Sequence, residues 1–366
     1  MAEPVGVLEQ PGPGSEPAGG RRRRWPIGRG ATLVVAGVIV VALVATLVIV
    51  VRQGSGTAGG IPAAPRIGQA RDVYDGDLGD PFVLPVIRPG QATSFVAFGT
   101  GDWPARVPTA RSSDSITWQR GPDALPQLPA WAAPDPKNSF SWAPAALDTG
   151  HGFVLYISLP DARSGQECIG AATSAVAEGP YTGAGDGPLI CQHELGGSID
   201  PAVVRDKAGK LHMLWKNDGN ALNLPSSIWE QALSDDGLGV SGPIHQLLTS
   251  NEAWQGGIIE EPAVIPAAKG GWWLFYSGNF FDKPEYATGV AWCPQLSGPC
   301  SETGHAPVLT TADLKDQPRQ SAPGGLETFQ DGKGGLWAVF DTWNRPTRNG
   351  RFYCCRSLQV APILSS

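Results

Sequence analysis

Short apolar runs that end in an aromatic residue recur at nearly regular intervals along this chain. There are five, and their last residues lie 58, 59, 60 and 65 positions apart. They are TSFVAF ending at Phe98, HGFVLY at Tyr156, KLHMLW at Trp215, GWWLF at Phe275 and GLWAVF at Phe340. Aromatic and β-branched residues between glycines and turn residues are typical of strands. The pattern predicts a repeat of about 60 residues, which has room for four short strands and their turns.

Five prolines mark the beginning of each unit with the same period. They lie 63, 57, 61 and 61 positions apart and are Pro81, Pro144, Pro201, Pro262 and Pro323. Proline is tolerated at the first residue of a strand, and a radial arrangement of blades leaves few exposed sheet edges. We therefore predict an all-β fold, a five-bladed β-propeller over residues 70–366. A pair of β-sandwiches with accidental periodicity is the alternative.

An uncharged apolar segment, Ala31–Val51, precedes the repeats. Its 21 residues are enough to cross a bilayer as a helix, whereas a cleaved signal peptide has a shorter apolar core. Five arginines come before it and one follows closely, which favours a cytoplasmic N-terminus. We predict a single transmembrane helix at 31–51 in the cell membrane, with the C-terminal domain outside; a cleaved signal is the alternative.

Composition divides the rest of the chain. Residues 1–30 are rich in Pro, Gly, Glu and Arg and are predicted to be a disordered cytoplasmic tail, and residues 52–69 a flexible linker. The whole chain carries a net charge of −7, while the part before residue 61 has six Arg and three Glu. The outer part is therefore acidic, which argues against nucleic acid as a partner.

All six cysteines follow the apolar segment, as expected for disulfides outside the cytoplasm. Local loops favour the pairs Cys168–Cys191 and Cys293–Cys300. Cys354 and Cys355 are adjacent, and they are either unpaired or bonded to each other. Zinc binding is the competing interpretation, but no C-x-x-C motif or nearby histidine pair supports it.

Three carboxylates occur at similar places in three of the repeats. Asp80 and Asp200 directly precede a proline, and Glu260 lies two residues before Pro262. In a five-membered ring, Asp200 and Glu260 would be neighbours and Asp80 would face them across the channel. An acid and a base roughly 6.5–9.5 Å apart suit hydrolysis of a glycosidic bond with inversion. Glu260 would be the acid, Asp80 the base, and Asp200 would raise the pKa of Glu260.

Glu261 is the rival for the role of general acid. Strand alternation would let only one of the two adjacent glutamates point into the channel. The spacing alone does not choose between them.

These motifs, in their order, resemble those of the family 43 glycoside hydrolases. The matching segments are GDPFVL, SWAPA, SIDPAVV, IIEEPAV, LHMLWKNDGN and LFYSGNFFD followed by YATGVA, within residues 75–360. The resemblance implies a five-bladed propeller that acts on arabinose- or xylose-containing glycans. It also implies that Asp80 is the base, Asp200 the orienting and pKa-modulating acid, and Glu260 the general acid.

The sequence departs from this family where many members have a histidine in the fifth blade, which in some holds a central metal ion. Gly324-Gly325 and Asp341 stand in those places, and Asp341 could take part of the histidine's role. We predict no cofactor, and a structural calcium is the alternative.

Aromatic side chains near the motifs are candidates for stacking on sugar rings: Trp142, Trp103, Trp254 and Phe280. Most of the 13 tryptophans are expected in the blade cores instead. The sequence thus predicts a membrane-anchored, inverting glycosidase whose partner is a poly- or oligosaccharide. The alternatives are a glycan-binding propeller without turnover and a fructan-acting relative of the same shape.

Overall fold

The computed structural model describes residues 61–74, 76–102, 104–133, 141–344, 347–348, 351–352 and 355–364. All the described residues belong to one compact unit, the second of two into which the chain divides, which begins at residue 59. The predicted tail, the predicted span at 31–51 and half of the predicted linker (residues 52–60) lie outside them. Within the described part of the chain, no helix is long and apolar enough to cross a membrane.

The second unit is built from small antiparallel sheets, which confirms the all-β prediction. Two short strands come first, β1 (Arg66–Ile67) and β2 (Arg71–Tyr74). Blade I contains β3 (Phe82–Val86), β4 (Ser94–Phe98), β5 (Thr109–Ser112) and β6 (Gln119–Arg120). Blade II contains β7 (Trp142–Asp148), β8 (Phe153–Pro160), β9 (Glu167–Ser174) and β10 (Thr182–Ala184). Blade III contains β11 (Ser198–Arg205), β12 (Leu211–Asn217), β13 (Ser227–Leu233) and β14 (Val240–Thr249).

The remaining strands complete a five-bladed propeller. Blade IV contains β15 (Ile259–Pro266), β16 (Trp272–Gly278), β17 (Ala287–Cys293) and β18 (Ser301–Glu302). Blade V begins with β19 (Gln320–Gln330) and β20 (Leu336–Asn344), a small hairpin follows as β21 (Thr347–Arg348) and β22 (Arg351–Phe352), and β23 is Arg356–Leu364. The described helices are single 3₁₀ turns at His193–Leu195, Gly219–Leu222, Ala253–Gln255 and Thr311–Asp313.

Blade V is completed by strands from both ends of the unit. β23 pairs with β20 on one side and with β1 and β2 on the other, with Arg66 opposite Leu364 and Arg71 opposite Val360. Part of the predicted linker at 52–69 therefore belongs to the sheet. This pairing covers the open edge of the last blade with backbone hydrogen bonds, as edge strands require.

The aromatic residues of the repeat all end up in the same place in their blades. Each lies in the second strand of its blade, and all five are 0% exposed: Phe98, Tyr156, Trp215, Phe275 and Phe340. Their burial between neighbouring sheets explains the period seen in the sequence, because each blade must present a large apolar side chain to the next one.

A left-handed backbone residue precedes the proline of every unit. The five residues have φ between 42° and 56° and are Asp80, Ala143, Asp200, Glu261 and Ala322. In blades II to V the pairing register shifts at this point, as in a β-bulge. Bulges re-aim side chains, and here the bulge turns the residue before proline towards the axis of the propeller. Glu261, and not Glu260, is thus the counterpart of Asp80 and Asp200 in the repeat.

The disulfides agree with the sequence. Cys168 is bonded to Cys191 and Cys293 to Cys300, as predicted. Cys355 is disulfide-bonded too, so the prediction that it could be unpaired is wrong, and Cys354 lies outside the described residues.

Candidate active site

A pocket of about 330 Å³ lies on one face of the propeller, at the end of its axis. Residues from all five blades and their loops meet there. The lining comprises five acids, two cations and both polar and apolar neighbours: Asp80, Asp200, Asp218, Glu260, Glu261, Lys216, Arg356, Thr100, Asn220, Trp142, Ile199 and Phe281. Below it, a much narrower space of about 20 Å³ follows the axis between the left-handed residues of blades I to IV and, from blade V, Gly325 and Glu327. The three acids predicted from the repeat therefore do meet in one pocket.

Asp80 is held by three elements of the ring. Arg356, the first residue of β23, donates to its Oδ1 at 2.5 Å, and the Thr100 hydroxyl donates to Oδ2. Its backbone N–H donates to Asp341 Oδ2 at 2.7 Å, and Asp341 in turn accepts from Arg356 at 3.3 Å. Burial disfavours ionisation of Asp80, but the Arg356 charge and these hydrogen bonds outweigh it and lower the pKa. Asp80 is therefore an ionised, oriented carboxylate.

Asp200 has the opposite electrostatic character. It is 7% exposed, and its Oδ2 accepts a hydrogen bond from the Glu261 backbone N–H at 3.1 Å. Burial raises its pKa to about 8, with further contributions from the charges of Glu260 and Asp80, although Lys216 opposes the shift. Asp200 is thus mainly protonated at neutral pH, whereas Asp80 is not.

Glu260 lies between a lysine and a tyrosine. Lys216 Nζ is 2.9 Å from its Oε2, and the Tyr286 hydroxyl donates to its Oε1 at 2.8 Å. Lys216 is 1% exposed; burial opposes its charge, but Glu260, Asp200 and Asp218 around it raise its pKa. A buried ammonium needs such partners. The lysine and the tyrosine hold the Glu260 carboxyl on the wall of the pocket.

Glu261 also lines the pocket, so the prediction that strand alternation would admit only one glutamate is wrong. The left-handed turn at Glu261 breaks the alternation, and both side chains reach the same space. Its Oε2 accepts from the Tyr286 hydroxyl at 2.9 Å and from the Ser277 hydroxyl at 3.2 Å. Burial, followed by the charge of Asp80 beside it, raises its pKa well above the ordinary value.

The predicted sugar platforms are distributed differently. Trp142 lines the pocket and is 38% exposed. Phe281 lines it as well, whereas its neighbour Phe280 does not and lies under the ammonium group of Lys283, 4.3 Å from the ring centroid. Trp254 stacks on Tyr276 with 5.9 Å between ring centroids, inside blade IV. Trp103 lies outside the described residues.

The channel below the pocket lacks the free oxygen ligands of a calcium site. Gly325 carries no ligand side chain, and Asp80 already accepts from Arg356 and Thr100. The other carboxylates that line the channel are Asp200, Glu261 and Glu327, and burial raises the pKa of each of them. Calcium takes 6–8 oxygen ligands, so these residues do not form a calcium cage, and no chemical step is assigned to a metal. That the protein needs no cofactor stays a prediction.

The zinc interpretation also fails within the part of the chain that the structure describes. The one group with metal-like spacing there is Cys168, Cys191 and His193. Its two sulfurs are joined in a disulfide and offer no thiolates.

Sequence reasoning did not assign a role to Lys216, Tyr286, Thr100 or Arg356. Lys216 directly follows Trp215 in a buried strand, and a charge at such a position was the available signal. Asp341 follows Phe340 in the same way in blade V. Arg356 comes from a segment without any recognisable motif, so its place beside Asp80 required the structure.

The pKa of Asp200 predicts a pH-dependent stability difference. Between its ordinary value of 3.8 and about 8, the folded state binds more protons than the unfolded state. Wild-type stability therefore falls as pH rises through this window. Asp200→Asn lacks this penalty, and its free energy of unfolding should exceed that of the wild type by on the order of a few kcal/mol at pH 8 and by much less near pH 4.

Guanidinium unfolding at pH 4.5, 6 and 8 measures this difference. Asp186→Asn is the matched control, because Asp186 is exposed and lies outside the pocket. A difference between Asp200→Asn and the wild type that is constant or shrinks with rising pH would contradict the assignment.

Comparisons with known proteins identify the fold. A family model for glycosyl hydrolases family 43 matches residues 71–363. A comparison with curated proteins gives no significant match. Among solved structures, an endo-1,4-beta-xylanase from Bacteroides thetaiotaomicron is 20% identical with a TM-score of 0.63, covering 80% of this chain and 95% of the other. An endo-arabinase from the same organism is 18% identical with a TM-score of 0.63, covering 83% and 99%.

An alpha-L-arabinofuranosidase from Lactobacillus brevis is 17% identical with a TM-score of 0.58, covering 78% of this chain and 90% of the other. At these identities the structural likeness shows the fold. The family match itself spans every blade of the propeller. The chain therefore belongs to family 43 of the glycosyl hydrolases and is a glycoside hydrolase.

Proposed function

We propose that this protein is an inverting glycosidase that cleaves arabinofuranosyl or xylosyl linkages in pentose-containing glycans. The observation that carries the proposal is the meeting of Asp80, Asp200 and Glu260 in one pocket, with Asp80 ionised through Arg356. The sugar class is supported by the names of the similar structures, a xylanase, an arabinase and an arabinofuranosidase.

Asp80 would act as the general base. Its ionised carboxylate can accept a proton from a water molecule that attacks the anomeric carbon. Arg356 donates a hydrogen bond to Oδ1 and Thr100 donates one to Oδ2, and together they fix the orientation of the carboxylate. An arginine partner lowers the basicity of the carboxylate but keeps it ionised at the pH of reaction.

Glu260 would act as the general acid. In inverting enzymes the acid protonates the oxygen of the leaving group on the opposite side from the attacking water. As its proton leaves, negative charge develops on Glu260, and Lys216 at 2.9 Å with Tyr286 at 2.8 Å stabilises that charge. The protonated Asp200 adds no negative charge to this region, which reduces repulsion during the transfer.

The aromatic residues at the mouth would receive the sugar rings. Trp142 and Phe281 lie on the wall of the pocket, on blades II and IV. Trp343 donates its indole N–H to the Phe281 carbonyl at 2.7 Å, which fixes the loop that carries Phe281. Ring faces suit stacking on the apolar faces of pentoses.

We also propose that residues 31–51 anchor the enzyme in the cell membrane with the propeller outside. The support is the sequence itself, an uncharged apolar segment after five arginines. Fractionation of cells that express the full chain tests this proposal. Recovery in the membrane fraction after carbonate washing is expected, and release of the protein into the culture medium would contradict it.

The roles of the carboxylates predict the effect of two substitutions. Asp80→Asn and Glu260→Gln in the full chain should each lower kcat/KM on aryl arabinofuranosides or xylosides by about 100- to 10,000-fold, because each removes one proton-transfer group. Asp186→Asn should leave kcat/KM unchanged. Hydrolysis rates on arabinan, xylan and arabinoxylan then define the natural substrate class.

Inversion has its own measurement. NMR of the first sugar released should show the anomer opposite to that of the substrate. A retained configuration, or full activity of Asp80→Asn, would overturn the assignment of Asp80 as the base.

The loop after β16 offers a matched pair of aromatic substitutions. Phe281→Ala should raise KM for oligosaccharides about three- to tenfold with a smaller change in kcat, since it removes one stacking surface. Phe280→Ala should leave KM nearly unchanged, because Phe280 does not line the pocket and lies beside Lys283. Steady-state kinetics on arabino- and xylo-oligosaccharides compares them, and a larger effect at Phe280 would contradict the placement of the platform.

A further inference from the structure

Glu261 is a half-buried carboxyl of the pocket that the proposed mechanism does not use. Its backbone is left-handed, with φ of 51°, a conformation that favours glycine. The side chain is nevertheless long and acidic, and it lies among Asp80, Tyr286 and Ser277. A strained backbone that carries a half-buried acid at an active site points to a function for that acid.

The neighbouring blade leaves room for this side chain. A Cβ atom at Gly325 would lie 3.2 Å from Glu261 Oε2 and 3.2 Å from the Asp80 Cα. At Gly324 it would lie 1.9 Å from the ring of Tyr286, which donates to Glu261. The Gly325 N–H donates to the Ser277 hydroxyl at 2.9 Å, and Ser277 donates in turn to Glu261. The two glycines and Ser277 thus form a cradle for the Glu261 carboxyl.

The proton between Glu261 and Asp80 can be assigned from their partners. The two side chains are hydrogen-bonded, and a hydrogen bond between two carboxyl groups requires one proton. Asp80 already accepts from Arg356 and Thr100, both of which favour its ionised form. The proton therefore belongs on Glu261, which donates to Asp80.

We propose that Glu261 is a positioning residue that remains protonated and, by donating a hydrogen bond to Asp80, keeps that base ionised and correctly aimed. This inference rests on the proposed role of Asp80 in hydrolysis. Through Tyr286, which contacts both glutamates, Glu261 also joins the base to the acid. One chain of hydrogen bonds then runs from Arg356 through Asp80, Glu261, Tyr286 and Glu260 to Lys216.

The charges that face Glu261 agree with this proton assignment. Burial comes first, and the charge of the ionised Asp80 follows it in raising the pKa of Glu261. Asp200 and Glu260 also face Glu261, and each raises its pKa further to the extent that it is ionised. The two cations of the pocket contact other carboxylates: Arg356 contacts Asp80 and Asp341, and Lys216 contacts Glu260. Tyr286 is neutral, because burial and the neighbouring Glu260, Glu261 and Asp80 raise its pKa well above the ordinary value.

Two substitutions separate the hydrogen bond from the rest of the side chain. Glu261→Gln keeps an N–H donor towards Asp80 and removes the titrating proton. Glu261→Gly removes the donor and suits the left-handed backbone, so its melting temperature should be at or above that of the wild type. The full chain of each variant would be assayed for kcat/KM against pH on two aryl pentosides whose leaving groups differ in acidity.

The expected result is that the acidic limb of the profile of kcat/KM against pH shifts in Glu261→Gly and not in Glu261→Gln. Without its donor, Asp80 is less stabilised as a carboxylate, so in Glu261→Gly the limb should move to higher pH by about one unit or more. At the wild-type optimum, kcat/KM should fall about 10- to 100-fold, equally for both leaving groups. Glu261→Gln should keep the wild-type limb. A side chain that only fills space would not move the limb.

Two outcomes would overturn the proposal. The first is an acidic limb in Glu261→Gly that equals the wild type. The second is a loss in both variants that is confined to the poorer leaving group, since that pattern identifies Glu261 as the general acid, and Glu260→Gln provides the reference for it.

Carbon-13 NMR titration of the Asp80 carboxyl separates this inference from the proposed function. The signal is assigned by its absence in Asp80→Asn, and it needs no turnover. If the wild type hydrolyses no pentoside but the pKa of Asp80 rises in Glu261→Gly, the proposed function fails and the hydrogen bond between Glu261 and Asp80 stands. If the pKa of Asp80 does not move, the role of Glu261 fails whatever the activity.

Discussion

A backbone that turns left-handed just before a proline, once in every blade, is the constraint on which the site depends. Each such non-glycine residue costs roughly 1–2 kcal/mol, so the packed ring has to hold all five in place. The turn aims one side chain per blade at the axis. Two blades carry alanine there, Ala143 and Ala322, and three carry acids. The repeat thus supplies the geometry, and the choice of residue at one position of each blade supplies the chemistry.

Several carboxylates so close together can share a buried pocket only if part of their charge is removed. Two cations, Lys216 and Arg356, contact Glu260 and Asp80. Asp200 and Glu261 have raised pKa values and keep their protons, and burial also raises the pKa of Asp218, the fifth acid of the pocket. Uncompensated charge is costly to bury, so these bound protons are structural components of the pocket as much as the side chains are. Neighbouring carboxyls of one ring thereby acquire different protonation states.

The sequence predicted the features that recur at the same position in each blade. The buried aromatics and the prolines recur with the blade, and the acids beside those prolines follow from them. Local alternation could not anticipate the bulge, so it wrongly allowed only one of Glu260 and Glu261 into the pocket. Arg356 reaches the site from the start of β23, in a segment without any motif. Tyr286 begins the YATGVA segment, but nothing in the sequence shows that its hydroxyl contacts both glutamates. The sequence predicted Phe280 as the sugar platform on the loop after β16, but Phe281 lines the pocket. A loop has no periodicity from which the direction of its side chains can be predicted.

The order of the strands has a consequence for when the pocket is complete. Arg356 begins β23, the strand that closes the ring by pairing with β20 on one side and with β1 and β2 on the other. The acid side of the pocket, with Glu260 and Lys216, comes from blades III and IV alone. A chain in which the ring has not yet closed would already hold its proton donor but would lack the counter-ion of its base. The closure of the ring and the formation of the ion pair between Arg356 and Asp80 are therefore one event. A propeller whose last blade is open lacks the cation that keeps its base ionised.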